Sequence, residues 1–321
     1  MIVLEDSFLR GSYPPLITPF RNGAVDFDCF EALLDRQVRD GSHGVLITGT
    51  TAEPSSLTIA ERVDLVRAAV QTVARRVPVV AATGSQSFAE TVALTTAAEQ
   101  AGADALLIVT PYYIKPSQRG LVEYFIAIGH RTGLPLMIYH IPGRAAVSVT
   151  GETVEKISAR LPSLVGMKHA AADLDLVTEV LLRVGPEFRI FCGLESLSLP
   201  MLAVGAAGLM NAVGNLAPGW VAALYNAVAR GDLAEARRLH TLLFELNRSI
   251  FVDTNPIPLK YMMMRMGLLD SPELRLPLVP LDPGCTGGLD DVLIRAGMLP
   301  APESEALMAA GGASGRKVGG C

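Results

Sequence analysis

The chain of 321 residues carries 27 Lys and Arg against 32 Asp and Glu, a net charge of −5, and is 50% hydrophobic. That balance excludes a general nucleic-acid surface, and no uncharged apolar run reaches the ~18 residues of a membrane span. Four scattered cysteines (Cys29, Cys192, Cys285, Cys321) lack metal-type spacing and the first residues form no basic leader, so a reduced, cytoplasmic protein is expected.

Short apolar runs then alternate with longer helical patterns. The predicted strands are Tyr13–Thr18, Gly44–Thr48, Val77–Ala82, Ala105–Val109, Leu136–Tyr139, Leu164–Lys168, Arg189–Cys192 and Gly208–Val213. Most are continuously apolar, as parallel strands buried on both faces are. Between them lie Asp28–Arg39, with Phe30, Leu33, Leu34 and Val38 on one stripe, and Thr58–Ala74, opened by the capping-box pair Thr58 and Glu61. Helical patterns follow near Phe88–Ala101, Gly120–Arg131, Gly151–Ala159, Leu174–Val184 and Ser196–Val204. Glycines at 41, 102 and 205 close three of these just before a strand, the punctuation of a βα repeat.

Eight such units over about 230 residues predict an α/β fold, a (β/α)8 barrel, for which ~250 residues is typical. The barrel is placed at residues 1–217 and a C-terminal helical region at 218–299, with helices at Gly219–Arg230, Asp232–Phe251, Pro258–Met266 and Leu289–Gly297. Residues 300–321, rich in Ala, Gly and Ser, read as a disordered tail. An open doubly wound sheet is the competing architecture, but no Gly-x-Gly-x-x-Gly follows the first strand.

Chemistry in a barrel belongs at the carboxyl ends of its strands. The stretch Leu164–Ala170 ends its strand on Lys168, one of five lysines in the chain. An amine in apolar surroundings loses hydration, which disfavours its charged form and frees it to attack a carbonyl as a Schiff-base former. Polar residues also follow strand two (Thr48-Gly49-Thr50-Thr51-Ala52-Glu53), strand four (Thr110-Pro111-Tyr112-Tyr113) and strand five (Tyr139-His140-Ile141-Pro142-Gly143-Arg144). Together they offer an imine-forming lysine, a proton-shuttling tyrosine, relaying hydroxyls and an arginine for a carboxylate. The five histidines show no metal-ligand spacing, and His140 and His169 read as satisfied residues beside the site.

These motifs carry a family resemblance. Gly49-Thr50-Thr51-x-Glu53, Thr110-Pro111-Tyr112-Tyr113-x-x-Pro116-Ser117-Gln118, Tyr139-x-x-Pro142-x-Arg144, Gly166-x-Lys168 and Asn255-Pro256-Ile257-Pro258-x-Lys260 occur in this order. From about Gly11 to about Leu299 the chain resembles the dihydrodipicolinate synthase and N-acetylneuraminate lyase family of pyruvate-dependent Schiff-base aldolases, closest to the synthase branch. The resemblance implies that Lys168 condenses with pyruvate and that Tyr139 shuttles protons, linked through Thr51 to a Tyr113 supplied by the neighbouring subunit of a homotetramer. It further implies that Thr50 and Thr51 hold the pyruvate carboxylate, that Arg144 binds the incoming aldehyde, and that Gly193 and Met210 line the pocket. No cofactor and no metal is expected, and the partners are small molecules, with neither nucleic acid nor membrane. The implied activity joins pyruvate to aspartate semialdehyde, giving 4-hydroxytetrahydrodipicolinate on the way to diaminopimelate and lysine.

Three residues depart from the family pattern: Ala52 for a usual glycine, His140 for an asparagine and His169 for an acid. They leave open a related pyruvate aldolase or 2-keto-3-deoxy acid dehydratase, or a non-catalytic barrel that binds a keto acid. The resemblance also implies a lysine-binding crevice at Tyr112, Glu90 and Gln86, where Ile59 and Arg62 replace the histidines of sensitive members. Arg62 would repel the ammonium of lysine, unless it swings into water.

Overall fold

A computed structural model describes residues 1–301; the tail expected at 300–321 lies, from residue 302, outside the described residues. The eight strands of the sheet are β1 (Gly11–Ser12), β4 (Val45–Ile47), β5 (Val79–Ala82), β6 (Ala105–Val109), β7 (Leu136–His140), β8 (Leu164–His169), β9 (Arg189–Cys192) and β10 (Gly208–Leu209). They pair in parallel in the order β1-β10-β9-β8-β7-β6-β5-β4. A bridge from Pro15 to Leu46 and hydrogen bonds from Leu16 N–H to Leu46 O and from Leu46 N–H to Pro14 O join the two ends. The result is a (β/α)8 barrel.

The first strand is Gly11–Ser12, which ends where the expected Tyr13–Thr18 would begin. Pro14 and Pro15 have no N–H to give a ladder, so only Gly11 and Ser12 pair regularly; Tyr13 N–H still donates to Leu209 O, and the Pro14 carbonyl and the Leu16 N–H make the closing bonds to Leu46. The last strand stops at Leu209 rather than Val213, because residues Ala212–Asn215 coil into a 3-10 turn. An additional hairpin, β2 (Phe20–Arg21) with β3 (Ala24–Val25), turns through Asn22 and Gly23, both at positive φ. That pair is a strong signal for a tight hairpin turn.

The helices fall within a few residues of where the apolar periodicity put them, except that the last begins at Pro283 rather than Leu289 and a short helix at Pro142–Ala145 is added. Most important for the site are α1 (Phe27–Arg39), α2 (Ile59–Val73), α3 (Phe88–Gln100), α4 (Gln118–Gly129), α5 (Pro142–Ala145), α6 (Gly151–Arg160) and α7 (Leu174–Val184). Thr58 and Glu61 form the expected capping box on α2. Gly41, Gly102 and Gly205 all have positive φ, as left-handed helix stops require. After α8 (Ser198–Ala203), α9 (Pro218–Ala229) packs against β1 and β10 in the place of the eighth barrel helix. Then come α10 (Leu233–Ser249), α11 (Ile257–Arg265) and α12 (Pro283–Arg295). Leu239, Leu243, Met262 and Leu293 join one apolar core with Ile138 and Met167 on the outer face of the barrel. No helix among the described residues is long and apolar enough to cross a membrane.

Strand side chains alternate between this outer core and the barrel interior, where Leu46, Val80, Leu107, Met137, Tyr139 and Phe191 meet. On β8 the alternation breaks. Leu136 pairs with Leu164 but Met137 pairs with Gly166, so one residue is inserted. Such a bulge re-aims the side chains beyond it. Val165 faces inward and Met167 outward, and Lys168 then lies opposite Tyr139 on β7 and Phe191 on β9.

Candidate active site

At the carboxyl end of β8, Lys168 is only 4% exposed. Its Nζ stands over the Tyr139 ring, 4.5 Å from the centroid, within the range of a cation–π contact. Its stem lies against Gly193, where an added Cβ would come within 2.6 Å of Lys168 Cε. Only glycine lets the loop after β9 approach the lysine this closely. Met210 is buried in the barrel interior, its N–H bonded to Cys192 O.

The loop after β4 forms a 3-10 turn at Thr50–Ala52, bracketed by Thr48 and Glu53, both with φ of 57°. The Thr50 hydroxyl lies 3.3 Å from the Tyr139 hydroxyl. Thr51, expected to make that link, instead accepts a hydrogen bond from Asn255 Nδ2 at 2.9 Å. With about three residues per turn, neighbouring side chains diverge by roughly 120°, so one turn cannot aim both threonines at Tyr139.

Tyr139 and Thr50 open onto a cavity of about 650 Å³, whose wall also carries Tyr112, Arg144, Asn255 and Arg62. Arg144, on α5, has no ion-pair or side-chain hydrogen-bond partner among the described residues. Lys168, Gly193 and Met210 do not line this cavity, and Tyr139 stands between it and the lysine's contact. Tyr113 is also absent from the wall. It is 86% exposed at φ 71°, beside exposed Ile114 and a Lys115 that is likewise left-handed at φ 47°. Left-handed tyrosine and lysine backbones are strained and persist where surroundings hold them.

Two of the substituted positions pair with each other. His140 and His169 face across β7 and β8 with rings stacked at 5.0 Å and their Nδ1 atoms 2.9 Å apart. His169 Nε2 lies 2.9 Å from the carbonyl of Asp173 and must donate to it. Its Nδ1 is therefore bare and accepts from His140 Nδ1–H, leaving His140 Nε2 unprotonated and, among the described residues, without a partner. Burial, then the neighbouring ring, pushes His140 down to about 4, against a weaker pull from Asp173; burial also lowers His169. Nearby, burial pushes the Cys192 thiol up to about 12 and raises the Glu195 carboxyl, whose Oε1 accepts the Ala212 N–H.

Arg62 does not swing into water. It is buried, donates to Ala82 O at 3.1 Å, and holds Nη1 3.8 Å from Glu90 Oε1 in the same cavity as Tyr112 and Gln86. Residues without an assigned role in the sequence also gather here. Glu53 pairs with Lys260 at 2.5 Å, with their side chains 1% and 0% exposed. Burial lowers the Lys260 ammonium and Glu53 opposes that shift. The family motif contained Asn255 and Lys260 and so pointed at them; Arg275, in an irregular stretch, had no such signal. Among the described residues no group of three or more His, Cys, Asp or Glu is placed to hold a metal.

Residues 8–293 match the model of the dihydrodipicolinate synthetase family. The chain is 44% identical over 292 residues to a 4-hydroxy-tetrahydrodipicolinate synthase of Thermus thermophilus, covering 91% of this chain and 97% of that one. It is 40% identical over 290 residues to the enzyme of the same name from Nitratidesulfovibrio vulgaris, covering 90% and 99%. The crystal structure of dihydrodipicolinate synthase from Aquifex aeolicus superposes with a TM-score of 0.88 at 36% identity, over 90% of this chain and 98% of that one.

The histidine pair sets a pH dependence. Because the folded chain holds His140 near 4 and an unfolded one titrates at 6.5, only the unfolded state takes up the proton between those values. Stability should be full above about pH 6.5 and decline as pH falls towards 4, by up to about 3 kcal/mol. Urea unfolding from pH 7.5 to 4.5 measures the slope, and His140→Asn should flatten it. An equal slope in the variant would assign the acid loss elsewhere.

Proposed function

The chain belongs to the dihydrodipicolinate synthetase family, and on that premise we propose that it is a lyase condensing pyruvate with aspartate semialdehyde to 4-hydroxytetrahydrodipicolinate. The observation that carries this reading is the trio at the barrel mouth: Lys168 under the Tyr139 ring, with the Thr50 hydroxyl at the Tyr139 hydroxyl.

Lys168 attacks C2 of pyruvate, and loss of water leaves an imine. A proton then leaves the methyl carbon, and the resulting enamine carbon bonds to the aldehyde carbon of the second substrate. That substrate's amino group attacks the imine carbon, closes the ring and releases the lysine. One water is lost overall. Tyr139 and Thr50 supply the proton path, the role the resemblance had given to Thr51. Backbone and hydroxyl groups of Thr50 and Thr51 hold the pyruvate carboxylate, and Gly193 and Met210 shape the space around the imine. Arg144, unpaired among the described residues, is available to a bidentate carboxylate, which favours a carboxylate-bearing aldehyde over a neutral one. No cofactor enters the scheme.

Tyr113 completes the path from a neighbouring subunit. Its exposure, its left-handed backbone and its absence from its own chain's cavity wall support a partner covering the Tyr113–Ile114 surface. The assembly is then a homotetramer of two such pairs, a cytoplasmic biosynthetic enzyme acting on small molecules.

Borohydride with pyruvate should add a stable mass to the peptide containing Lys168, and Lys168→Ala should abolish it. Labelling of Lys115 or of the ion-paired Lys260 instead would overturn the scheme. Run with a panel of aldehydes, the same enzyme should turn over aspartate semialdehyde fastest.

Shared sites have their own signature. Tyr113→Phe and Tyr139→Phe should each be poorly active, yet randomly mixed pairs should recover about a quarter of full activity, because half the pairs are mixed and each holds one intact site. No recovery would put both tyrosines in one chain's site.

Lysine should inhibit weakly or not at all at millimolar concentration, since Arg62 already holds Glu90 and adds a like charge. A dose–response curve with half-inhibition in the micromolar range would contradict this.

A further inference from the structure

Two sequence motifs remote from one another fit together pair by pair. Asn255 donates to the Thr51 hydroxyl, and Lys260 meets Glu53, so the start of α11 grips residues 51 and 53 of the threonine loop. We propose that Glu53, Lys260 and Asn255 are positioning residues that hold Thr50 in register with Tyr139, through the buried Glu53–Lys260 ion pair and the Asn255–Thr51 hydrogen bond. This rests on the reading of Tyr139 and Thr50 as the proton path.

The loop needs such a clamp. Its two flanking residues, Thr48 and Glu53, are non-glycine residues in the left-handed region, a conformation that endures only when neighbours over-determine it. Thr48 is held from below, its hydroxyl 2.8 Å from Ala82 O. Ala52 O accepts from the Thr18 hydroxyl at 2.9 Å. The Glu53 carbonyl accepts from the Ser56 N–H and hydroxyl nearby, but its carboxylate is held by remote residues. Its Oε1 lies at Lys260 Nζ, and its Oε2 accepts the Arg275 backbone N–H at 3.3 Å.

Lys260 is anchored independently of the loop. Nζ donates to Glu273 O at 2.8 Å and lies 4.2 Å from the centroid of Phe20. The Arg275 guanidinium sits on the same ring at 4.4 Å and reaches Ser56 O, Gly23 O and Glu61. Hairpin, helix α11 and the segment at 273–275 thus converge on the loop. Among the described residues no hydrogen bond or ion pair joins Glu53 or Lys260 to Tyr139 or Lys168; they act through the backbone of residues 50–53.

A buried charge stripped of its partner threatens the fold itself, so the decisive variant removes both charges: Glu53→Gln with Lys260→Met. Asn255→Ala, which leaves the ion pair intact, is the second arm. In each, imine formation is read by borohydride trapping at saturating pyruvate, and the proton step by exchange of pyruvate methyl hydrogens with deuterated water. Both variants should trap pyruvate on Lys168 to the wild-type yield while exchange slows at least tenfold. Exchange that is unchanged, or that falls only in proportion to trapping, would reduce the clamp to a structural staple and overturn the proposal. Failure of the wild-type chain to trap pyruvate at all would instead remove the Schiff-base reading beneath it.

Discussion

One inserted residue in β8 decides where the lysine points. With the offset that pairs Leu136 with Leu164, Tyr139 would stand opposite Met167 and Lys168 would face the outer helices. The bulge adds one to the offset, and Lys168 arrives opposite Tyr139 with its amine inside the barrel. A one-residue change of register moves every later side chain to the other face, so the whole site depends on it. Gly166 takes up the irregularity, since a Cβ there would fall 2.3 Å from the carbonyl of Arg189. The same shift sets His140 opposite His169, which explains how two substitutions at separate positions can satisfy one another.

Polar groups around the mouth are treated in two opposite ways. Behind the site they are buried and paired through one atom each, the histidines Nδ1 to Nδ1 and Glu195 through Oε1 to the Ala212 N–H, while burial keeps Cys192 a thiol. At the opening Arg144 has no ion-pair or side-chain hydrogen-bond partner among the described residues, and Arg62 is drawn inward to Glu90. Low local dielectric strengthens each satisfied contact and penalises each unsatisfied one. Of these two arginines it is Arg144, unpaired among the described residues, rather than Arg62 that is open to a ligand.

Much of this was legible in one dimension. Apolar runs, most of them continuous, marked seven of the eight barrel strands and fell just beyond the first, and the 3.6-residue stripes and the capping box at Thr58 marked the helices around them. The ends of the barrel were harder, because Pro14 and Pro15 and the turn at Ala212–Asn215 shorten ladders that side-chain polarity alone extends. Lys168, Tyr139 and Arg144 were readable from their places after strands. Which threonine meets Tyr139 was not, since a 3-10 turn separates two adjacent and chemically identical side chains by direction alone. The partners Glu53 and Arg275 lie 222 residues apart, and no local pattern encodes such a contact.

That separation also fixes an order of events during synthesis. Thr51 waits for Asn255, 204 residues downstream, and Glu53 for Arg275, 222 downstream. At the ~5–20 residues per second of translation, roughly 10 to 45 s pass between the loop's emergence and the arrival of its cations. Lys168 and Tyr139 are made well inside that interval. A nascent chain therefore carries its amine and its phenol before it can bring Thr50 to them, and the barrel becomes a catalyst only near the end of its own manufacture.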